Sequence, residues 1–221
     1  MIVLAIDTAL EDCSVAIGQG SDIRLSERTI GRGHAEILMP ATAALLAEAG
    51  LSARDLDRIA VSTGPGSFTG LRVGIAAARG LGLALDIPVI GIPTLKAHAV
   101  LASKMRDSVS APNRPILALL PARADELYGQ VFSGEGDPLG PLTVANAGRF
   151  GELAPEGSYD VAGAGAALLG AAFAPIHLRS APSIATLLDL GAALSPDAFP
   201  PAPVYGKPPD AIPHSGGIAR R

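Results

Sequence analysis

The sequence of 221 residues is long enough for one large domain or two small ones, and it can bury a substantial core. Apolar residues make up 48% and charged residues 17%, below the roughly 25% typical of globular proteins, so much of the chain must be packed away. A net charge of -4 gives no global basic field, which argues against direct binding of nucleic acid.

The N-terminal segment and the single cysteine indicate a cytoplasmic protein. Residues 1–13 carry no basic leader and reach Asp7 after a short apolar run, so we expect a first strand and not a signal peptide. Cys13 cannot form an internal disulfide, which fits a reducing compartment. The longest uncharged apolar run, residues 161–176, is shorter than a membrane span and contains Pro175, so we expect no membrane anchor.

The first half of the chain alternates between strand and helix patterns. The patterns predict strands at 2–6, 13–17, 23–28, 58–62 and 89–92, and helices at 34–49, 69–86 and from Thr94 toward Met105. Gly50 follows the first helix as a C-terminal cap, Ser52 and Asp55 have the spacing of a helix-start motif, and Thr94 is predicted to cap the third helix. This order predicts an α/β fold with a mixed sheet and helices packed against it.

The second half is less regular and dense in proline and glycine. We predict strands at 116–120 and 127–132, a helix established by Ala166, and an extended tail from Pro200 onward. A boundary near residue 107 would divide the chain into a first lobe, 1–106, and a smaller second lobe, 107–221.

The stretch GPGSFTGLRVG, residues 64–74, has the composition of a loop that opens a helix and cradles a phosphate. Unpaired N–H groups and the helix dipole make a helix start attractive to anions. The Walker pattern requires lysine after its last glycine, and here Leu71 follows Gly70, so that match fails. The nucleotide hypothesis therefore depends on Asp7, Thr8, Ser67 and Phe68.

Small residues recur every fourth position of the following helix, at Gly70, Gly74, Ala78 and Gly82. Glycine inside a helix costs about 0.5–1 kcal/mol relative to alanine, so these glycines require a compensating close contact. The pattern predicts a groove that another helix approaches closely. Either a partner subunit or the helix at 34–49 of the same chain could fill it.

Several segments in this order and spacing resemble the TsaB (YeaZ) family. They are Ile6-Asp7-Thr8, Cys13-Ser14-Val15-Ala16, His34 to Leu38 with Pro40, the loop 64–74, Gly80-Leu81 and IPVIGIPTL at 87–95. The resemblance covers residues 1–100 most strongly. It continues more weakly at Ala122-Arg123, Glu126-Leu127-Tyr128, 162–165 and Pro203-Val204-Tyr205.

The resemblance implies an actin-like ATPase (ASKHA, ribonuclease H-like) fold of two lobes with a reduced second lobe. It also implies a non-catalytic, scaffold role in placing threonylcarbamoyl on N6 of the adenosine next to the tRNA anticodon. The implied partners are the catalytic paralogue TsaD, the ATPase TsaE and a second copy of the chain, with tRNA contacted only through the complex. ATP and metal are expected on the partner, with none bound productively by this chain alone.

In this family the two helices that correspond to 34–49 and 69–86 form the partner surface. The resemblance carried over residue by residue gives a predicted interface of Leu38, Ala41, Leu45, Thr69, Gly70, Arg72, Val73, Gly74, Ala77, Ala78, Leu81 and Gly82.

The paralogue TsaD has a metal-binding H-x-x-x-H where this chain has Thr94 and His98. Threonine is a poor substitute for imidazole at a transition metal, so we expect no metal site here and an ordinary hydrogen bond for His98. The sequence departs from the TsaB pattern at Pro121, where the family has aspartate, and at Gly206-Lys207, where it has Leu-Arg.

The remaining candidate residues receive structural interpretations. Asp7 is expected to cap a turn, His34 to face solvent at a helix start, Cys13 to be packed and Lys96 to lie on the surface. Two enzymatic alternatives stay open: an ATPase or small-molecule kinase that uses Asp7, Thr8 and the loop 67–70, and a metallopeptidase.

Overall fold

The structure, a computed structural model, describes residues 1–20, 22–107, 113–153, 158–170 and 173–206. The tail beyond Gly206, including Lys207, lies outside the described residues. The strands are β1 Val3–Asp7, β2 Asp12–Gln19, β3 Asp22–Thr29, β4 Arg58–Gly64, β5 Val89–Pro93, β6 Ile116–Pro121, β7 Glu126–Phe132, β8 Thr143–Asn146, β9 Asp160–Ala162 and β10 Pro175–His177. The helices are α1 His34–Glu48, α2 Phe68–Leu85, α3 Thr94–Asp107, α4 Ala147–Leu153 and α5 Ile184–Ala193.

The first sheet has the strand order β3-β2-β1-β4-β5. β1 runs antiparallel to β2 and parallel to β4, so the sheet is mixed as predicted. Every residue of β1 is buried, as expected for a central strand covered on both faces. β3, at the edge, is polar and mostly exposed, which discourages pairing with another chain.

Helices cover both faces of the first sheet. α1 and α2 pack on one face over a core that includes Leu4, Ile6, Leu38 and Leu71. α3 and α5 cover the other face over a second core that includes Ala60, Ile90 and Leu187. The result is a three-layer lobe in which α2 belongs to one outer layer.

The second sheet repeats the topology of the first. Its order is β10-β9-β6-β7-β8, so counting its strands along the chain gives the same 3-2-1-4-5 arrangement, with antiparallel β6–β7 and parallel β6–β9 pairs. Its later strands are short, which agrees with a reduced second lobe. α3 contacts strands of both sheets and lies between them.

Most predicted elements are confirmed, and the differences are local. Thr94 is the first residue of α3, and its buried hydroxyl has no hydrogen-bond partner among the described residues, so the predicted cap is wrong. The segment expected to be helical by Ala166 forms a 3-10 helix, Ala164–Leu169. α5 was not predicted, and although it belongs to the second half of the chain it packs on the first sheet. The boundary at 106 and 107 stays a prediction.

The small-residue stripe of α2 faces the chain's own sheet. A Cβ atom added at Gly70 would collide with Thr8 O, one at Gly74 with Thr8 Oγ1, and one at Gly82 with the Val89 side chain. Ala78 is fully buried in the same core. The explanation of this stripe as a groove for another helix is therefore wrong: β1, β4 and β5 fill it, and the glycines let α2 approach the sheet closely.

We predict opposite effects for alanine at two glycines of α2. Gly74→Ala should lower the free energy of unfolding by about 2 kcal/mol, because its methyl group has no room beside Thr8. Gly80→Ala should raise it by about 0.5–1 kcal/mol, because Gly80 is exposed with open space beside it and alanine favours the helix. Chemical denaturation of both variants checks the prediction, and equal effects would contradict this packing.

Candidate functional site

α2 presents a weakly charged outer face to solvent. We define this outer face of α2 by its exposed residues: Phe68, Thr69, Arg72, Ala76, Arg79, Gly80, Leu83 and Ala84. Its only charged side chains are Arg72 and Arg79, and Leu83 is 87% exposed. α2 is also long and apolar enough to cross a membrane by length and composition, a test that core helices of soluble proteins pass as well.

α1 lies beside α2 on the same face of the sheet and exposes a similar surface. The helix continues through Pro40, and its exposed residues include Met39, Ala43 and Ala47 between Glu36 and Glu48. A cavity of about 460 Å³ lies between the beginnings of the two helices, and its lining includes Arg32, Glu36, Thr69 and Val73. The two helices therefore form one continuous surface with a hollow at one end.

The predicted interface residues divide between the buried and outer sides of these helices. Thr69 and Arg72 are exposed, and Val73, Ala77 and Leu81 are half-buried. The rest are buried against the sheet, so they could support a partner surface but not touch it: Leu38, Ala41, Leu45, Gly70, Gly74, Ala78 and Gly82. The four-residue spacing could not reveal that Ala76, Gly80 and Ala84, two residues further along and therefore on the opposite side of the helix, form the outward small-residue stripe.

The glycine loop is closed by contacts within the chain. The Ser67 amide donates to Ala9 O over 2.6 Å, and Ser67 Oγ accepts from the Gly70 amide over 3.2 Å. Thr8 Oγ1 donates to Gly70 O over 2.8 Å. These bonds use the amides of Ser67 and Gly70, and the turn after β1 packs closely against the loop.

Asp7 is the last residue of β1, and its side chain caps the turn that follows. Its Oδ1 accepts from Ser62 Oγ at 2.5 Å and from the Ala9 amide at 2.9 Å, which confirms the expected turn cap. Its Oδ2 is buried and has no hydrogen-bond partner in the described part of the chain. Burial raises the pKa of this carboxyl, while the bonds from Ser62 and Ala9 oppose the shift.

Two histidines meet where α3 reaches the second lobe. His98 and His177 stack with ring centroids 5.3 Å apart and planes inclined by 28°. His177 Nε2 lies 3.2 Å from the backbone oxygen of His98. Neither ring nitrogen of His98 has a hydrogen-bond partner of normal geometry among the described residues, so the prediction of an ordinary hydrogen bond for the His98 side chain is wrong. Burial, with His177 and Arg179 adding to it, lowers the pKa of His98 to about 3, although the Ser180 backbone opposes the shift.

Two other side chains differ from expectation. His34 is buried at the beginning of α1, with Nε2 3.1 Å from Leu10 O, so it does not face solvent. Lys96 is buried as well, and its Nζ donates to Gly136 O over 2.9 Å and to Asp137 Oδ1 over 3.2 Å.

Cys13 is packed as expected, and burial raises the pKa of its thiol. Among the described residues, no group of three or more His, Cys, Asp or Glu side chains could hold a metal ion.

We predict that Asp7→Asn stabilises the protein at pH 7. The folded pKa of Asp7 is raised, so above the ordinary value of 3.8 the unfolded chain releases its proton first, and stability is lost as the pH rises through the folded pKa. An asparagine at this position does not ionise, so the variant does not lose stability in this way as the pH rises. The difference in the free energy of unfolding should shrink as the pH falls toward 4, and denaturation at several pH values checks this.

We also predict that His98 makes the protein sensitive to acid. The unfolded side chain takes a proton near pH 6.5 and the folded one only near pH 3, so stability should fall between these values, by about 3 kcal/mol at pH 4. His98→Phe keeps an aromatic ring and should flatten this part of the pH profile of the free energy of unfolding. Parallel profiles for the variant and the wild type would contradict the assignment.

The chain resembles both named and uncharacterized proteins. The family model for TsaD, tRNA N6-adenosine threonylcarbamoyltransferase, matches residues 27–155. The tRNA threonylcarbamoyladenosine biosynthesis protein TsaB of Escherichia coli is 37% identical over 128 residues, which cover 58% of this chain and 53% of that protein. The chain thus spans about half the length of the TsaB relatives that it matches. An uncharacterized protein of Mycobacterium tuberculosis is 36% identical over 216 residues, covering 96% of this chain and 94% of that one.

A solved structure from Pseudomonas aeruginosa, of a protein described as similar to the peptidase YEAZ, has a TM-score of 0.76 and 29% identity. It covers 93% of this chain and 99% of its own. A second YeaZ structure from the same organism has a TM-score of 0.73. The predicted actin-like fold with two mixed sheets is therefore confirmed. Taken together, these likenesses show that the chain belongs to the TsaB (YeaZ) family.

Proposed function

We propose that this protein is a non-catalytic scaffold subunit for tRNA threonylcarbamoyladenosine synthesis, and that it binds the catalytic paralogue TsaD through the exposed sides of α1 and α2. The observation that supports the proposal most directly is the outer face of α2. Its exposed positions carry two arginines and otherwise apolar or small side chains, with Leu83 87% exposed.

A surface of this kind is suited to a protein partner. Interface cores are poor in charged residues, and contiguous exposed apolar patches on soluble proteins mark binding sites. The small residues Ala76, Gly80 and Ala84 lie one turn apart on the outer face, so a partner helix can approach the backbone of α2 closely. Thr69 and Arg72 of the predicted interface lie on this face, and Val73, Ala77 and Leu81 lie along its border.

The same geometry favours a supporting role over nucleotide chemistry. Asp7 and Thr8 are buried and hydrogen-bonded to the chain itself, and the amides of Ser67 and Gly70 are used within the loop. We further propose that ATP and metal bind to the partner, that tRNA and TsaE meet this protein only in the assembled complex, and that the protein acts in the cytoplasm. A kinase or ATPase acting alone would have to open this packing before it could bind a phosphate.

We predict that Gly80→Glu weakens binding to TsaD at least tenfold, because it places a bulky charge in the middle of the outward small-residue stripe. Gly151→Glu is the matched control, since Gly151 also lies in a helix with open space beside it, but in α4 of the second lobe. Isothermal titration of purified TsaD with each variant measures the effect. Equal affinity of both variants and the wild type would overturn the proposed surface.

Thermal unfolding provides the necessary control for folding. Both glutamate variants should unfold within a few degrees of the wild type, because neither position has neighbouring atoms to displace. Substitutions at Gly74 or Gly82 are unsuitable as tests of docking, because a larger side chain there would collide with the first sheet and destabilise the protein itself.

A further inference from the structure

The last described segment of the chain, residues 199–206, crosses the end of the first sheet, and we call it the C-terminal strap. The Gly91 amide donates to Phe199 O over 2.8 Å, and the Val204 amide donates to Thr63 O over 2.7 Å. At its far end Gly206 lies against the Tyr128 ring of β7. The strap is thus attached to both sheets, which fixes the position of the residue between these contacts, Tyr205.

Tyr205 joins two residues of α2 in an exposed cluster. Its ring centroid lies 5.3 Å from that of Phe68, and its hydroxyl accepts from Arg72 Nε at 3.4 Å. The Arg72 guanidinium lies 3.7 Å from the Phe68 ring centroid, within the range of a cation–π contact. Phe68 remains 43% exposed and Tyr205 38% exposed, so the cluster is ordered by its own contacts and still faces solvent.

We propose that Phe68, Arg72 and Tyr205 are the anchor of the partner surface, which therefore extends from α1 and α2 onto the C-terminal strap. The inference rests on the proposed binding of TsaD and names where that binding is strongest. Aromatic residues and arginine dominate the energetic centres of protein interfaces. Because the three side chains already restrain one another, they lose little further conformational freedom when a partner covers them.

The charges of α2 specify the chemistry of the complementary surface. Arg72 and Arg79 lie seven residues apart on the outer face, and neither forms an ion pair within the described parts of the chain. Covering them without an opposite charge would leave desolvated cations, which is strongly unfavourable. A complementary partner therefore has an apolar pocket for the two rings, with a carboxylate beside it to meet Arg72. It has a second carboxylate further along its own helix to meet Arg79.

The cluster is less suited to stacking a nucleotide base. A base requires an open aromatic face, and the guanidinium of Arg72 already covers one face of Phe68 while Tyr205 packs against the same ring. The cluster also continues directly into the outer face of α2. These contacts favour a protein partner over a free nucleotide at Phe68.

Titration calorimetry with purified TsaD tests the anchor. Phe68→Ala and Tyr205→Ala should each weaken binding at least tenfold, and the double variant should lose less than the product of the two because the rings act together. Arg72→Glu should weaken binding more than Arg72→Ala does, since it opposes a carboxylate. Leu139→Ala, at an exposed apolar residue of the second lobe, should bind within twofold of the wild type.

The outcomes separate this inference from the proposed function. If the cluster variants bind like the wild type while Gly80→Glu does not bind, the anchor is overturned and the scaffold role stands. If the wild type itself forms no complex with TsaD, both are overturned. If the isolated chain binds ATP and Phe68→Ala removes that binding, the cluster is a stacking site for a base and the anchor is also overturned.

Discussion

The close contact between α2 and the first sheet determines both what this protein buries and what it exposes. Gly70, Gly74 and Gly82 remove the side chains that would separate the helix from β1 and β5, and Ala78 completes the same buried edge. Because the helix lies so near the sheet, the turn after β1 reaches into the glycine loop. The opposite side of the helix is left with small and apolar residues that face solvent.

This arrangement joins a hydrogen-bonded glycine loop to an exposed helix face. The amides of Ala9 and Ser67 are hydrogen-bonded within the chain, and Thr8 Oγ1 donates to Gly70 O. They also fix the beginning of α2, which carries Phe68 and Arg72. Loop amides that are hydrogen-bonded within the chain give the helix a defined starting direction, which a binding surface requires. The packing that closes the loop thus also orients the exposed face of α2.

Much of the first lobe could be predicted because its signals are local. Short apolar runs define β1, β2 and β4, and glycine and proline mark the ends of α1 and α2. The direction in which the glycine stripe faces could not be predicted. A four-residue period indicates that the helix packs closely against another element, but it does not indicate which element that is. α5 and the stacking of His98 on His177 depend on contacts between distant parts of the chain, and no local pattern carries that information.

Several buried polar atoms have no hydrogen-bond partner among the described residues. Asp7 Oδ2 lies at the end of β1, and Thr94 Oγ1 and both ring nitrogens of His98 belong to the first turns of α3. Unsatisfied groups of this kind reduce stability, so packing alone does not explain them. Asp7 shows what can preserve such a residue: one carboxylate oxygen lacks a partner, while the other ties Ser62 of β4 to the turn after β1. A buried carboxyl with one unpartnered oxygen can therefore act as a structural connector between two strands and a turn.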